Sequence, residues 1–308
     1  MKILLINIDS TKPNLALKKI EKYHRDKGDE VVWDFPLMAR HADKIYVSAI
    51  YTWSRGKCAE WEGRAEIGGS GYDLKKTLPP GIEGIKPRIN WGFTTRGCVR
   101  HCPFCVVWKK EGGIRATGDI YDIWDGVSEK IVLLDNNILA LPDHFFKICG
   151  QLKKENLKVD FNQGLDCRLL TEKMARALKR LRVKHYRFAF DHPSQKPAVE
   201  KAVDLLKKYK MQAIWYVLVG FNTSIKEDLE RLDYLRANGQ AAFVQRYNYI
   251  KKPVYIRMAQ WANQHGVFRK MAFEQFLSHP KNRAYAHLLK KEGGKCRIGN
   301  GIHSSRGW

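Results

Sequence analysis

The sequence predicts an α/β protein built as a small doubly wound domain followed by an open, partial barrel, and this prediction rests on two observations. Apolar runs of strand length alternate with longer segments of helical periodicity along the 308-residue chain. From residue 91 onward the alternation recurs about every 30 to 40 residues, which is the rhythm of parallel strands joined by right-handed helical crossovers. About six such units fit before residue 250, fewer than the eight of a closed barrel.

Residues 1–78 are predicted to form a Rossmann-like α/β domain. The continuous apolar run Lys2–Ile8 is typical of a strand that is covered on both faces, and Asn14 offers an N-cap to a helix that ends at Gly28. Further strands are predicted over Glu30–Phe35, Lys44–Tyr51 and Ala65–Ile67. The stretch with prolines and glycines that follows, residues 79–90, is predicted to be a linker.

Residues 91–250 are predicted to be the partial barrel, a (β/α)6 version of the TIM type. Its predicted strands beyond the first are Lys130–Leu134, Lys158–Asn162, Tyr186–Phe190, Ala213–Val219 and Ala241–Tyr247. Its predicted helices are Asp143–Glu155, Thr171–Leu181, Lys196–Lys210 and Ile225–Ala237. Residues 251–308 are predicted to form a basic, helical C-terminal extension.

The composition points to a reduced compartment. The chain has 44% hydrophobic residues, enough for a large core, which excludes a disordered or fibrous protein. Its seven cysteines are too few and too unevenly spaced for a secreted disulfide scaffold. No apolar run approaches the roughly 18 residues that are needed to cross a bilayer. We therefore expect a cytoplasmic protein that does not contact a membrane.

The charge of the chain is strongly positive and is concentrated near its end. The net charge is +23, and residues 250–308 contain 12 Lys or Arg against two Asp or Glu. Basic side chains interleaved with aromatic ones are typical of single-stranded nucleic-acid binding, because the cations neutralise phosphates and the rings stack on bases. A solvated basic surface over a packed aromatic core gives the same pattern. The aromatic residues concerned are Tyr255, Trp261, Phe268, Phe273, Phe276, Tyr285 and Trp308.

Three cysteines form the most informative motif of the sequence. Cys98, Cys102 and Cys105 follow the spacing Cys-x3-Cys-x2-Cys within eight residues. Gly97 and Pro103 keep this segment out of regular structure. Closely spaced thiolates can converge on one metal centre, and three ligands without a fourth at zinc-finger spacing suit a cubane cluster with one open iron. A structural zinc site and an accidental group of core cysteines are the alternatives.

At these residues the sequence resembles the radical S-adenosylmethionine superfamily, in which a Cys-x3-Cys-x-aromatic-Cys motif follows the first barrel strand. The resemblance covers roughly residues 88–250. It implies that Cys98, Cys102 and Cys105 bind a [4Fe-4S] cluster whose open iron chelates S-adenosylmethionine, and that the Phe104 backbone contacts the adenine. It also implies a one-electron donor of the flavodoxin or ferredoxin type and a 5′-deoxyadenosyl radical that abstracts hydrogen from the substrate.

Polar residues that follow the predicted strands are candidates for binding S-adenosylmethionine. Asp135 and Asn136 follow the strand Lys130–Leu134, where relatives bind the methionine amino group, so the resemblance assigns them that role. A helix cap or a turn is the structural alternative. Asp191 follows a later strand and is predicted to hold a ribose hydroxyl. Gly220 lies in a strand-end turn that resembles the turn beside the adenine in relatives, and ordinary strand-to-helix punctuation is its alternative.

Asn162, Gln163 and Arg168 follow the strand Lys158–Asn162 and are predicted to line the same site. An arginine there can hold a carboxylate through two hydrogen bonds. A hydrogen-bonded loop network also explains these residues. Cys149 lies in an apolar helical pattern and is expected to be buried and not to bind metal.

The leading domain resembles, more weakly, the domains that precede the barrel in cobalamin-dependent and methylthio-transferring relatives. Its first loop, Asn7–Pro13, lacks the histidine of the Asp-x-His-x-x-Gly motif that ligates cobalamin. Cobalamin bound without a histidine ligand stays open as a further cofactor. Methylthiotransferases carry three more cysteines in this domain, and only Cys58 precedes Cys98, so that activity is not expected.

The sequence therefore predicts a radical S-adenosylmethionine enzyme that abstracts hydrogen from an unidentified substrate, with nucleic acid as the first candidate on charge alone. Cobalamin-assisted radical methyl transfer is the alternative reaction. A non-catalytic, metal-stabilised nucleic-acid-binding module is the alternative from another class. The sequence leaves the reaction subclass, the product and the oligomeric state open.

Overall fold

The structure is a computed structural model that describes residues 1–292 and 295–298. The described residues fall into two compact units. The first unit consists of residues 1–136 and 154–158, and the second consists of residues 137–153 and the described part of residues 159–308.

The first unit begins with four parallel strands in the order β2-β1-β3-β4. Two short pairs follow, in which β5 is parallel to β8 and β6 is antiparallel to β7. The elements of this unit are β1 (Lys2–Asn7), α1 (Leu15–Asp26), β2 (Glu30–Trp33), β3 (Lys44–Ser48), β4 (Glu66–Gly68), α2 (Pro80–Glu83), β5 (Trp91–Gly92), β6 (Thr95–Arg96), α3 (Val107–Glu111), β7 (Arg115–Ala116) and β8 (Lys130–Leu133).

The four-stranded sheet is covered on both faces, as the continuous apolar run of β1 predicts. Successive side chains of a strand point to opposite faces, so Ile3 and Leu5 pack in one cluster with the α1 residue Leu17. Leu4 and Ile6 pack in a second cluster on the other face. The side chain of Asn14 accepts a hydrogen bond from the Leu17 amide, which confirms the predicted N-cap of α1.

Several boundaries in the leading part of the chain differ from the prediction. β2 and β3 end at Trp33 and Ser48, two and three residues before the predicted ends. The predicted linker, residues 79–90, contains the short helix α2, which begins at a proline as helix starts commonly do.

The second unit contains three parallel strands in the order β11-β12-β13, and β9 lies beside β10. The segment after β9 joins β11 through a parallel bridge between Leu165 and Phe188. The elements of this unit are α4 (Pro142–Lys154), β9 (Lys158–Phe161), α5 (Glu172–Lys179), β10 (Arg182–Val183), β11 (Tyr186–Ala189), α6 (Lys196–Lys208), β12 (Ala213–Val219), α7 (Ile225–Ala237), β13 (Ala241–Arg246), α8 (Pro253–Ala262), α9 (His265–Lys270), α10 (Phe273–Ser278), β14 (Leu289–Glu292) and β15 (Lys295–Ile298).

The alternation of parallel strands and helices in this unit agrees with the predicted α/β class. The predicted bounds of β12 and α7 are confirmed without a shift, and those of β9, α4, α5 and α6 differ by one or two residues at an end. No sheet of the described residues closes into a barrel. The six-unit partial barrel therefore stays a prediction.

The C-terminal extension is helical only in its first part. Helices α8, α9 and α10 are followed by the antiparallel pair β14–β15, which corrects the prediction of a helical extension. Residues 299–308, including Trp308, lie outside the described residues. No helix in the described part of the chain is long and apolar enough to cross a membrane.

The aromatic side chains of this extension are mostly part of the core. The buried ones are Tyr255, Trp261, Phe268, Phe273 and Phe276, each at most 9% exposed. Tyr285 packs under the guanidinium of Arg257, 3.4 Å from its ring centre. Rings buried in this way cannot stack on bases. The burial of Trp261, Phe268, Phe273 and Phe276 agrees with the alternative interpretation, in which these rings are part of the core.

Candidate functional site

The three cysteines lie on one loop of the first unit, residues 97–106, between β6 and α3. β6 pairs with β7, where Arg96 faces Arg115, so the ends of the longer segment 97–114, which contains the loop and α3, are held together. The Cys98 amide also donates a hydrogen bond of 3.2 Å to the Gly112 carbonyl. Cys98, Cys102 and Cys105 are all half-buried. The motif therefore lies on a short loop whose first residues are fixed by the β6–β7 pair and by the Cys98–Gly112 hydrogen bond.

Gly97 is required at the start of this loop. Its φ of +83° lies in the left-handed region, which favours glycine, and a Cβ there would overlap the backbone carbonyl of Gly113. The sequence prediction that Gly97 keeps the segment out of regular structure agrees with this geometry.

Backbone groups inside the loop are directed at the cysteines. The Arg100 amide donates to the Cys98 sulfur over 3.3 Å, and the Cys105 amide donates to the Cys102 carbonyl over 2.9 Å. The Trp108 indole donates to the same Cys102 carbonyl over 3.1 Å. Hydrogen bonds to the cysteine sulfurs are one of the features by which proteins tune iron–sulfur clusters. The loop is thus suited to soft metal ligation.

Asp135 lies just beyond the carboxyl end of β8 and is 4% exposed. Its Oδ1 atom accepts hydrogen bonds from the amide and the hydroxyl of Thr94, each 2.9 Å long, and from the hydroxyl of Thr95 at 2.7 Å. The Thr95 amide donates to the same atom. Its Oδ2 atom has no hydrogen-bond partner. Burial raises the pKa of this carboxyl, and the threonine hydrogen bonds oppose that shift.

This geometry argues against the helix-cap interpretation of Asp135, and its role in binding the methionine amino group stays a prediction. Asp135 does not act as a helix cap, because its hydrogen bonds go to Thr94 and Thr95 on the neighbouring segment rather than to the helix that follows. A buried carboxylate oxygen without a partner is costly unless a donor is supplied from outside the chain. Asp135 therefore fits a ligand that carries a donor, such as an ammonium group.

Asn136 contacts a residue that the sequence reasoning missed. Its Nδ2 atom donates to Glu111 Oε2 over 2.8 Å, and the same oxygen accepts from the Gly97 amide over 3.0 Å. Glu111 Oε1 forms an ion pair of 3.0 Å with Arg96. The sequence signal for Glu111 is weak, since it follows two lysines in what reads as an exposed helix end.

Among the described residues, no three His, Cys, Asp or Glu side chains lie close enough together to bind a metal ion. The convergence of Cys98, Cys102 and Cys105 on one metal centre therefore stays a prediction. So does the contact of the half-buried Phe104 with adenine. The donor set itself, three thiols on a loop with amide donors, fits an iron–sulfur cluster.

The second unit holds Asn162, Gln163 and Arg168. The fork of Arg168 is already occupied, because Asp166 accepts hydrogen bonds from its Nε at 2.6 Å and its Nη2 at 3.1 Å. This local pair agrees with the loop-network alternative, and the predicted contact of Arg168 with a ligand carboxylate stays a prediction. Asn162 is half-buried and accepts from the Tyr216 hydroxyl through its carbonyl at 3.3 Å, and Gln163 is exposed.

Asp191 and Gly220 lie at the carboxyl ends of β11 and β12. The Leu218 amide donates to Asp191 Oδ1 over 3.1 Å, and burial raises the pKa of this carboxyl. Gly220 has a φ of +77°, and a Cβ there would contact the ring of Tyr255 at 3.4 Å. Their predicted contacts with ribose and adenine stay predictions.

A buried ion pair that the sequence reasoning missed lies beside the carboxyl ends of β11 and β12. Asp228 and Arg231 on α7 pair with each other and are both at most 2% exposed. Arg231 donates to the Leu218 carbonyl over 2.8 Å, and the Gly220 amide donates to Asp228 over 3.0 Å. Their spacing in the sequence indicates that they are buried, because residues 228 and 231 share a helix face with the buried leucines Leu232 and Leu235.

Asp9, in the loop after β1, is hydrogen-bonded to the backbone of the segment after β3. Both carboxylate oxygens of Asp9 accept hydrogen bonds of 2.9 Å, from the amides of Ile50 and Tyr51. Beside this edge lies a cavity of about 450 Å³, and no histidine lines it. The lining residues are Ile6, Asn7, Ile8, Asp34, Pro36, Gly56, Lys57, Glu60 and Trp61.

Comparison with solved structures shows that the fold is similar to that of a radical S-adenosylmethionine methyltransferase. Two structures of the enzyme TsrM from Kitasatospora setae match, both with a TM-score of 0.60. The one with cobalamin and a [4Fe-4S] cluster bound is 11% identical, over 80% of this chain and 72% of that one. The one with its tryptophan substrate and the analogue aza-SAM bound is 12% identical, over 79% and 72%.

At this level of identity the likeness concerns the fold. No protein-family model matches the sequence, and no curated protein matches it. A mixed α/β fold like that of a radical S-adenosylmethionine enzyme is thus supported by the comparison of structures and not by sequence similarity, whereas the six-unit partial barrel stays a prediction.

Proposed function

We propose that this protein is a radical S-adenosylmethionine enzyme whose [4Fe-4S] cluster is held by Cys98, Cys102 and Cys105. The observation that carries the proposal is the cysteine loop: the three cysteines lie on one short loop inside a segment closed by the β6–β7 pair, and the Arg100 amide donates to the Cys98 sulfur. When bound, the cluster would reduce S-adenosylmethionine to methionine and a 5′-deoxyadenosyl radical that abstracts hydrogen from the substrate. The fold shared with TsrM, a protein solved with such a cluster and with a SAM analogue, supports this.

The chain's own residues would bind and orient the cofactor. Asp135 keeps Oδ1 fixed by Thr94 and Thr95, so its partnerless Oδ2 is free to accept from the methionine ammonium group. A carboxylate that is already oriented before binding loses little entropy when the ligand arrives. Asn136 would stand beside it, held by Glu111.

Metal content of single-cysteine variants tests the proposal. Protein reconstituted anaerobically with iron and sulfide should hold about four irons per chain, because a cubane cluster contains four. Cys98→Ala, Cys102→Ala and Cys105→Ala should each lose the cluster absorbance, since a three-cysteine site has no spare ligand. Full iron in any of these variants, or zinc in place of iron in the wild type, contradicts the proposal. Zinc with nucleic-acid binding would favour the non-catalytic module.

Cobalamin-assisted methyl transfer is the second candidate reaction. It is favoured by the leading parallel sheet together with the fold shared with a methyltransferase solved with cobalamin. In this chain Asp9 caps the amides of Ile50 and Tyr51, and no histidine lies in its loop. Cobalamin would therefore bind without a histidine lower ligand. Spectroscopy of cobalamin-loaded protein should show that form, and a histidine-ligated form contradicts it.

The substrate and partners belong to the same proposal. The basic composition favours a polyanion such as nucleic acid as substrate. Reduction of the cluster requires a one-electron donor, for which a flavodoxin- or ferredoxin-like protein is proposed. Such chemistry needs the reducing conditions of the cytoplasm, where we place the protein.

A further inference from the structure

We propose that Glu111 is a positioning residue for S-adenosylmethionine, one that fixes the cysteine loop and the end of β8 relative to each other. This inference rests on the proposed function. Glu111 lies six residues after the last cysteine of the motif, and its side chain is 10% exposed.

The carboxylate of Glu111 joins two segments that are distant in sequence. Its Oε2 atom accepts from the amide of Gly97, the residue that precedes Cys98, over 3.0 Å. The same atom accepts from the side chain of Asn136, the residue that follows Asp135, over 2.8 Å. One oxygen atom thus contacts the neighbour of a cluster cysteine and the neighbour of the carboxylate proposed to bind the ammonium group.

The other oxygen is fixed by a cation. Arg96 pairs with Oε1 at 3.0 Å, and its guanidinium is itself held 4.0 Å from the centre of the Phe93 ring. Hydrogen bonds to a charged acceptor are roughly twice as strong as neutral ones, and burial protects them from competition with water. The carboxylate is therefore held on three sides and cannot move without moving Gly97 or Asn136.

The consequence is a mechanical link between the two parts of the site. Glu111 acts through Gly97 and Asn136 and is proposed to touch neither the cluster nor the cofactor. Loss of its charge should leave the three thiols in place and disturb the position of the Asp135–Asn136 segment relative to them. S-adenosylmethionine must contact both parts at once, so its affinity should suffer more than cluster assembly does.

Binding measurements on cluster-loaded protein test this inference. Glu111→Gln keeps the shape of the side chain but turns an amide group toward Arg96. It should keep the iron content of the wild type and weaken S-adenosylmethionine binding about tenfold, the effect of losing one charged hydrogen bond. Asn136→Ala should weaken it to a similar degree. Equilibrium dialysis under anaerobic conditions gives both dissociation constants, and the spectral change of the reduced cluster on cofactor addition gives a second readout.

A double variant separates positioning from general damage. If Glu111 and Asn136 act as one unit, Glu111→Gln combined with Asn136→Ala should bind no more weakly than the weaker single variant. Glu66→Gln is the matched control, because Glu66 pairs with Lys44 at 2.7 Å on the exposed surface of the same unit. Its affinity should equal that of the wild type.

The outcomes are distinguishable. A wild type that cannot be loaded with iron overturns the proposed function. A loaded wild type together with a Glu111→Gln variant that binds S-adenosylmethionine normally overturns the positioning role alone. Loss of iron in a folded Glu111→Gln protein also overturns it, since Glu111 would then be needed for cluster assembly. Strictly additive effects in the double variant contradict the link through Asn136.

Discussion

Asp135 combines two features that rarely occur in one side chain. One oxygen accepts four hydrogen bonds from Thr94 and Thr95, while the other is buried without a partner. The first feature fixes the carboxylate and the second leaves it an acceptor site. Buried carboxylate oxygens usually have a hydrogen-bond partner, so this geometry supports the proposal that Asp135 accepts a hydrogen bond from a ligand.

Replacing Asp135 by asparagine should weaken S-adenosylmethionine binding by about tenfold or more, because a charged hydrogen bond is worth roughly 1.5–3 kcal/mol. In Asp135→Asn an amide group would face the ammonium where a carboxylate oxygen stood. Asp26→Asn, which changes an exposed carboxylate that pairs with Lys22, is the control and should bind as the wild type does. Equal affinities of Asp135→Asn and the wild type would exclude Asp135 from the site.

The proposed contact of Asp135 with the ammonium group of S-adenosylmethionine should depend on pH. Burial raises the pKa of Asp135, so the folded protein takes up a proton at a higher pH than an exposed aspartate does. The protonated carboxyl no longer attracts an ammonium group. The dissociation constant of the wild type should therefore increase as the pH falls through the raised pKa, and that of Asp135→Asn should lack this component.

Cys149 should have no part in metal binding. Burial raises the pKa of its thiol to about 12, so the thiolate that a metal requires is not formed near neutral pH. Cys149→Ala should retain the iron content of the wild type and lose roughly 1 kcal/mol of unfolding free energy, a typical effect of a single core substitution. Iron analysis and denaturant unfolding measure the two quantities. Loss of iron would show that Cys149 is a ligand.

At the scale of single residues, the sequence names the cysteines and Asp135 as candidates but gives no indication of Glu111 or Arg231. The cysteine motif is local, so spacing along the chain is enough to recognise it. Glu111 acquires its contacts only when β6 and β7 pair and bring residue 111 beside residues 97 and 136. Such partners are set by tertiary structure, and local sequence carries little information about them.

Among the elements, those with clear periodicity and a cap were predicted best. Helix α7 begins after Ser224, whose side chain accepts from the Glu227 amide in a capping box, and both residues are visible in the sequence. Strands β6, β7 and β10 are not expected from the sequence, and the first barrel strand, at β5, is expected without bounds, because two residues are too few to show an alternating pattern. Two of these short strands, β6 and β7, form the base of the cysteine loop.

Substitutions of two glycines test whether the cysteine loop requires the left-handed backbone conformation at Gly97. Gly97→Ala should destabilise the protein by more than about 1 kcal/mol and reduce iron uptake, because alanine is strained at a φ of +83° and would overlap the Gly113 carbonyl. Gly113→Ala is the matched control, since a Cβ at Gly113 meets nothing within 4 Å. Unfolding free energies and iron content should separate the two variants. Equal behaviour would mean that the loop does not require the left-handed residue.

On the scale of the whole molecule, the charge remains the main argument for a polyanionic substrate. The five buried aromatic residues of the C-terminal extension do not support stacking on bases. The net charge of +23 is therefore the remaining evidence for nucleic-acid binding. The overall α/β class followed from the alternation of strands and helices. The pairing of strands into separate sheets did not, because it depends on contacts between distant segments.

Binding of single-stranded RNA should therefore be electrostatic. Its dissociation constant should increase about tenfold or more as salt is raised from about 50 to 200 mM, because the entropy gained by releasing condensed counterions from the RNA falls as the bulk salt concentration rises. Changing Lys290, Lys291, Lys295 and Arg297 together to glutamine should flatten this dependence. The backbone of these four residues forms β14 and β15, and their side chains lie outside the described set. Absence of binding at low salt would exclude nucleic acid and favour a small-molecule or peptide substrate.

The central claim, that the chain reductively cleaves S-adenosylmethionine, is tested most directly by product analysis. Cluster-loaded protein incubated anaerobically with dithionite and S-adenosylmethionine should release 5′-deoxyadenosine and methionine, and Cys98→Ala should release neither. Protein that carries its full iron and forms no 5′-deoxyadenosine would contradict the account, and so would equal product formation by wild type and Cys98→Ala.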